Sequence, residues 1–225
     1  MTPIRTLLCA LLTLAVCACA SSPPVHYFSL DDGGPTVQGS QDGPRIAVTQ
    51  VNLPDVIDRP QLVVRTAGHQ LRLDDQYEWA EPLRRQIPRV IARHLGEALD
   101  SGRVVALPID AQNFDADFKV MLDIQRMEVI SGQKVDLDVV WRVEPRNGKI
   151  FFGRSQISEK IETTTGPGTY EAAVAAQSRA LKGAAVNIAA GIASRPGDTT
   201  LDGLSPDRNA VPADPRNTRG RRNGI

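Results

Sequence analysis

Hydrophobic and polar residues alternate along several stretches of the chain, and this alternation predicts β-strands. Over 135–143, apolar residues at odd positions alternate with Asp136, Asp138 and Arg142, as in a half-buried strand. In 117–130 the alternation changes phase near Arg126, which predicts a β-bulge. Other predicted strands cover 25–30, 45–53, 62–66, 70–73, 104–107 and 150–161. Glycine-containing turns at 131–133 and 146–148 predict that the last three long strands form an antiparallel meander.

Two other stretches have the 3.6-residue period of amphipathic helices. The first covers 79–101, with Leu83, Ile87, Ile91 and Leu95 on one face and arginines on the other. Pro88 lies inside this pattern, which predicts either a kink or a helix that starts later. The second runs from 170 to about 193, and its many alanines favour helix and close packing on a sheet.

The order of these elements predicts the fold class. Strands, a helix, more strands and a second helix indicate an α/β protein: a single-domain sandwich of a mixed β-sheet with two long helices. The antiparallel meander falls in the C-terminal half. The segment 195–225 is rich in Pro, Gly, Asp, Arg and Asn and has few apolar residues, so it is predicted to be a disordered tail.

The N-terminal segment is typical of a lipoprotein signal peptide. Arg5 precedes an apolar run from 7 to 18 that is shorter than the ~20 residues needed to span a bilayer as a helix. Small Ala18 stands directly before Cys19, which predicts cleavage after 18 and lipid attachment at Cys19. Cys17 is a weaker candidate because bulky Val16 would stand next to the cut. An ordinary secretory signal with incidental cysteines is the alternative.

Domain boundaries follow from this interpretation. We expect a signal peptide at 1–18, a short polar tether at 19–24, a folded domain at 25–194 and the tail at 195–225. Ala20 and Ser21 follow the cysteine without the Asp that commonly retains lipoproteins in the inner membrane. This favours the periplasmic face of the outer membrane.

Composition argues against several classes of function. Lys plus Arg equals Asp plus Glu at 26 each, so no charge excess points to nucleic acid. Cys9 and Cys17 leave with the predicted signal and Cys19 carries the lipid, so the mature chain has no cysteine for a disulfide, a thiolate metal site or a nucleophile.

The candidates for catalysis or metal binding are isolated. His26, His69 and His94 are far apart in sequence and form no zinc-binding motif, and no Ser stands in a GxSxG elbow. Asp136 and Asp138 share one strand face, as metal ligands do, but a solvent-facing strand predicts the same pattern. We therefore expect no catalytic residue, metal or cofactor; an envelope hydrolase is the least favoured function. The basic helix face (Arg84, Arg85, Arg89 and Arg93) is more typical of a solvated surface than of a binding site.

Two segments stand out because they combine charges, prolines and aromatics at strand ends: VNLPDVIDRPQLVVR at 51–65 and YEWAEPL at 77–83. Together with the tether and the YFSL at 27–30, they resemble the paraquat-inducible protein C type of ABC transport auxiliary lipoprotein. The resemblance extends from Cys19 to about 193. It implies a non-enzymatic lipoprotein that docks the tunnel of an MCE-domain protein and its ABC transporter, which move lipids between membranes.

Loops of this kind are where a rigid scaffold places a binding surface. The anchors expected for contact with a partner or for self-assembly into a homo-oligomer are Asp58, Arg59 and Trp79, since Trp and Arg dominate interface energetics. An alternative function is a periplasmic lipid-binding carrier lipoprotein. It requires an apolar cavity between the sheet and the alanine-rich helix.

Overall fold

The strands and helices of this protein are taken from a computed structural model, which describes residues 23–30, 39–106, 114–162 and 168–194. The predicted signal peptide, Cys19 and the tail from 195 lie outside these residues. Within them the elements are β1 (His26–Phe28), β2 (Ile46–Asn52), β3 (Gln61–Ala67), β4 (Gln70–Trp79), α1 (Leu83–Ala98), β5 (Val104–Ala106), β6 (Phe118–Ile130), β7 (Lys134–Pro145), β8 (Phe151–Lys160) and α2 (Gly168–Ala193).

All of these strands join in one mixed sheet built around β6. On one edge of β6, the strands β7 and β8 continue as an antiparallel meander. The other edge carries both β2 and β3 in parallel orientation. From there β5 extends the sheet beyond β2, and β4 and β1 extend it beyond β3. The predicted fold class, a mixed sheet with two long helices, is confirmed.

The predicted bulge in β6 is present. The register with β7 runs in step through Ile124↔Val139 and resumes at Arg126↔Asp138, so Gln125 is the extra residue. Burial changes parity at the same point, from Ile124 to Met127. A bulge of this kind keeps apolar side chains on the core face on both sides of the irregularity.

The helix α1 begins four residues later than the predicted start at 79. β4, predicted over 70–73, runs on through Asp74 and Asp75 and ends at Trp79. The backbone N–H of Trp79 donates to Pro60 O at 2.7 Å, which holds this residue in the sheet. The helix continues through Pro88. Proline there removes the hydrogen bond to the Arg84 carbonyl, and burial of the neighbouring apolar side chains offsets that loss.

The two helices contact each other while α1 packs on β2 and β5 and α2 packs on β7 and β8. They therefore cover one face of the sheet. The predicted apolar face of α2 is confirmed: Leu181, Ala184, Ala185 and Ile188 have no exposed surface. Because alanine has a small side chain, α2 lies directly on the meander.

Candidate functional site

The shared edge of β6 leaves a gap between β2 and β3. Pairing with β2 ends at Asn52↔Asp123, and pairing with β3 begins at Val64↔Val129. The part of β6 between them contains the bulged Gln125. We call this place the split edge: the β6 segment 124–128 together with the loop 53–60 that connects β2 to β3.

The loop of the split edge is one turn of helix. Pro54 O accepts hydrogen bonds from the N–H groups of Ile57 at 3.0 Å and Asp58 at 3.2 Å. The turn directs Ile57 into the sheet, where the side chain is buried. Ile57 lines a small internal cavity on the helix side, with Trp79 and Leu83, and also a groove on the opposite side. It therefore plugs the gap between the two faces.

The groove outside this plug has a volume of about 100 Å³. Its apolar walls are formed by Val56, Val63, Leu71 and Met127. Val56 is 41% exposed, so an apolar side chain stands open to solvent at the mouth of the groove.

The rim of the groove is charged. Arg65 and Glu128 form an ion pair at 2.5 Å, and Arg126 stands beside them. An apolar depression with a charged rim can accept a large side chain of a partner and orient it.

The three predicted anchor residues lie at or beneath the split edge. Asp58 Oδ2 accepts from Arg84 Nε at 2.6 Å, which ties the loop to the first turn of α1. Arg59 Nη2 donates to Asp55 O at 3.5 Å, and its buried Nε has no hydrogen-bond partner among the described residues. Trp79 is only 6% exposed and belongs to the core. It lines the small cavity beneath Ile57 and offers little surface to a partner because it is buried.

Residues that sequence reasoning did not single out complete the site. Ile57 lies in the unusual block 51–65 but was not predicted as an anchor, and Arg126 and Glu128 of β6 were not predicted as site residues. The phase change near Arg126 marks the irregular part of β6, but only the pairing shows which loop fills it. Gln86, on α1, is another such residue. Its buried side chain accepts from the Leu30 N–H at 2.8 Å and donates to Glu81 O at 2.5 Å.

The paired aspartates of β7 have protein partners. Asp138 is buried, contrary to the solvent-facing position that alternation suggested. Its carboxylate accepts from Arg154 Nε and Nη2 at 2.8 and 2.6 Å and from Gln156 at 3.1 Å. The hydrogen bonds from Arg154 are the main reason that the pKa of Asp138 is lowered to about 2. Asp136 accepts from Ser158 at 2.7 Å and pairs with Lys134 at 2.9 Å.

Two of the isolated histidines and two arginines of the basic face of α1 also have local partners. His26 stacks on Tyr77 with ring centres 5.4 Å apart, and His94 Nδ1 lies 2.8 Å from Glu97. Arg84 pairs with Asp58, and Arg89 pairs with Glu81 at 2.8 Å. Among the residues with described positions, no group of three or more His, Cys, Asp or Glu side chains could hold a metal ion.

The family of this protein follows from a match to residues 28–189. The matching family is described as the ABC-type transport auxiliary lipoprotein component. Because the match covers most of the chain, the protein belongs to this family. The family is defined by an auxiliary role in transport and by lipid anchoring, not by a catalysed reaction. None of the helices in the described part of the chain is long and apolar enough to cross a membrane.

Two crystal structures share the fold. One, of an uncharacterized protein, has a TM-score of 0.59 at 17% identity and is matched over 76% of this chain and 99% of its own. The other is a DUF330 protein from Xanthomonas campestris, with a TM-score of 0.53 at 16% identity over 77% of this chain and 97% of its own. At such identities the likeness supports the fold alone. No curated protein matches the chain in sequence.

Proposed function

We propose that this protein is a lipid-anchored accessory of an MCE-type lipid transport system, of the paraquat-inducible protein C type. Its signal peptide is removed after residue 18, and lipid on Cys19 holds it at the periplasmic face of the outer membrane. The split edge then docks the tunnel-forming MCE protein of the system. Family membership supports the general part of this proposal, namely that the protein is an auxiliary lipoprotein of an ABC-type transporter.

One observation carries the docking assignment. The two unusual sequence blocks, 51–65 and 77–83, meet at the split edge although they are separate in sequence. Asp58 of the first block pairs with Arg84, directly after the second block. Pro60 of the first block accepts the backbone hydrogen bond of Trp79 in the second. The second block therefore fastens the loop of the first from the helix side of the sheet, and the first block, together with β6, lines the apolar groove on the other side.

The chemistry of the split edge suits a protein partner. The groove has room for one large apolar side chain, and the exposed Val56 adds contact area at its mouth. The Arg59 guanidinium donates a long hydrogen bond of 3.5 Å from Nη2 to Asp55 O, and a guanidinium group pairs well with a partner carboxylate. A few central anchors inside a polar rim are the usual source of binding energy in protein interfaces.

Site-specific photo-crosslinking in whole cells tests this assignment. A photoreactive amino acid replaces Val56 in the full lipidated chain, and the matched control carries it at Val186 on α2, which is 48% exposed. We expect an adduct with an MCE-domain protein from position 56 and none from position 186. Adducts with unrelated proteins only, or equal yields at both positions, would overturn the docking assignment.

A second candidate function is lipid carriage, favoured by a larger groove elsewhere. This groove, of about 750 Å³, lies between the chain at 27–30, α1 and α2. Val174 and Ala175 contribute apolar lining, and Arg93 and Lys182 contribute charge. The sequence argument required a cavity between the sheet and α2. The observed groove lies between the two helices instead, because the buried alanines of α2 pack directly on the sheet.

Native mass spectrometry of a Cys19→Ser chain expressed without its signal peptide tests lipid carriage. A carrier should retain a co-purified lipid, and Ala175→Phe should displace it by filling the groove. A lipid-free chain, or retention unchanged by Ala175→Phe, argues against this candidate.

A further inference from the structure

The short strand β1 is held rigidly at one edge of the sheet. It pairs with β4 through His26↔Tyr77 and Phe28↔Trp79. Tyr77 stacks on His26 from one side and on Tyr170 of α2 from the other, with the two tyrosine ring centres 3.8 Å apart. The place where the N-terminal tether leaves the domain is therefore set by the folded body.

Hydrogen bonds around this aromatic stack also hold β1 and the residues after it in place. Tyr170 OH accepts from Arg72 at 2.8 Å and donates to Asp74 at 3.2 Å. After β1, Leu30 is held by two side chains: its N–H donates to Gln86, and its carbonyl accepts from Ser178 at 2.6 Å. The chain from 26 to 30 is consequently fastened to β4, α1 and α2.

The other side of β1 is apolar and open. Since successive side chains of a strand point to opposite sides, Val25 and Tyr27 point away from the aromatic contacts that His26 and Phe28 make with Tyr77. Tyr27 is 64% exposed, and Val25 is exposed as well. A tyrosine in this situation has no role in the core, but its amphipathic ring suits the headgroup region of a bilayer.

The length of the tether brings this side close to a membrane. Val25 follows Cys19 by six residues and Tyr27 by eight. At ~3.5 Å per extended residue, Tyr27 lies at most about 28 Å along the chain from the lipid-bearing cysteine. The opposite edge of the sheet, β8, is five strand positions from β1, about 24 Å further away.

We propose that Val25 and Tyr27 form a membrane-contacting edge: their side chains contact the surface of the same bilayer that holds the lipid anchor. The inference rests on the lipid attachment at Cys19 in the proposed function, and it goes beyond it by fixing which side of the domain faces the membrane. With β1 at the headgroups, the domain stands on its edge, and β8 points away from the bilayer.

Spin labels can measure this orientation. The mature chain has no cysteine besides the lipidated Cys19, so Tyr27→Cys creates a unique labelling site. Phe152→Cys on β8 is the matched control, because Phe152 is 65% exposed and lies at the far edge. Both lipidated chains are reconstituted into phosphatidylethanolamine–phosphatidylglycerol vesicles and floated on a density gradient. Collision of each label with oxygen and with a polar nickel complex is then measured.

We expect the oxygen-to-nickel collision ratio at position 27 to rise several-fold on reconstitution, with no change at position 152. Chains that float but show position 27 as open to the nickel complex as position 152 would overturn the membrane-contacting edge and leave the anchor standing. Chains that do not float would overturn the anchor and the edge together.

Discussion

Arg84 Nε donates a 2.6 Å hydrogen bond to Asp58 Oδ2, and this pair joins the loop of the split edge to the first turn of α1. The two residues are 26 positions apart in sequence; Asp58 lies in the loop beside the groove, and Arg84 lies in α1 on the helix side of the sheet. Neither partner is buried, since Arg84 is half exposed. The pair therefore positions the loop more than it stabilises the fold.

The first prediction separates these two effects. Asp58→Asn and Arg84→Gln should each reduce the free energy of unfolding by less than about 1 kcal/mol, because exposed ion pairs contribute little. Both should lower the yield of the Val56 crosslink. Urea unfolding measures the first quantity and crosslinking in cells measures the second. The charge-exchanged double variant, Asp58→Arg with Arg84→Asp, should recover part of the yield; no recovery would show that the pair does not position the loop.

Ile57 should matter for both stability and docking. Ile57→Ala removes the plug between the two faces of the sheet, and loss of a buried aliphatic side chain costs roughly 2–5 kcal/mol. Ile57→Val should cost about 1 kcal/mol and keep the groove. Chemical denaturation gives both values. Equal stability of Ile57→Ala and the parent would contradict the role of Ile57 as a plug.

Gln86 should be sensitive to a substitution that keeps its size. Gln86→Leu leaves the buried N–H of Leu30 without its acceptor, and an unsatisfied buried group costs about 1–3 kcal/mol. Gln86→Glu keeps the acceptor for Leu30 but loses the donor to Glu81 O. Thermal unfolding should rank the parent first and both variants below it, and backbone amide exchange at Leu30 should accelerate in Gln86→Leu. Unchanged exchange there would exclude Gln86 as the main support of this segment.

Asp138 should give the protein a pH-dependent part of its stability. Because the folded pKa of Asp138 is about 2, below its ordinary value of 3.8, the ionised form stabilises the fold above pH 3.8, and this contribution is lost as the pH falls towards 2. In the Asp138→Asn variant the unfolding free energy should change less over that interval than in the parent. Glu162→Gln, at an exposed residue, is the control and should follow the parent. An NMR titration of Asp138 with a midpoint near 4 would refute the assignment.

Two glycines that face the core should respond in opposite ways to alanine. A Cβ at Gly153 would lie 2.0 Å from Trp141 Cζ2, whose ring is buried and hydrogen-bonded to Ser155. Gly153→Ala should therefore destabilise by about 1–3 kcal/mol or more through overpacking. At Gly183 in α2, the closest atom is the flexible end of Ile157 at 2.9 Å, and alanine gains up to about 1 kcal/mol in helix propensity. Gly183→Ala should be neutral or stabilising in thermal unfolding, and a larger loss than at Gly153 would contradict the packing argument.

Local patterns predicted much of the fold because they reflect local physics. The alternation in β7, the phase change in β6 and the alanine stripe of α2 each correspond to an observed strand, bulge or helix. Predictions were less accurate where contacts with residues distant in sequence determine the local structure. The helical pattern predicts a helix from 79, but pairing with β1 and the hydrogen bond to Pro60 keep Trp79 in the sheet.

In the candidate site, too, some residues lie where the sequence predicted them and others were misplaced. Asp58 and Arg59 were predicted as surface anchors and lie on the loop of the split edge, where contact with a partner stays a prediction. Trp79 was grouped with them because it is a large aromatic, yet it is buried. Asp138 was predicted to face solvent, yet Arg154 and Gln156 cover it. Burial depends on neighbours from other strands, and one sequence does not name them.

The order of apolar and polar residues was therefore enough to identify the strands, the helices and the mixed α/β class, since periodicity is a property of neighbouring residues. The pairing of both β2 and β3 with one edge of β6, the plug at Ile57 and the groove beside it came only from the folded chain. These features depend on contacts between residues tens of positions apart. The free energy of such contacts is set by how well the surfaces fit in three dimensions, which the residue pattern of any one segment does not contain.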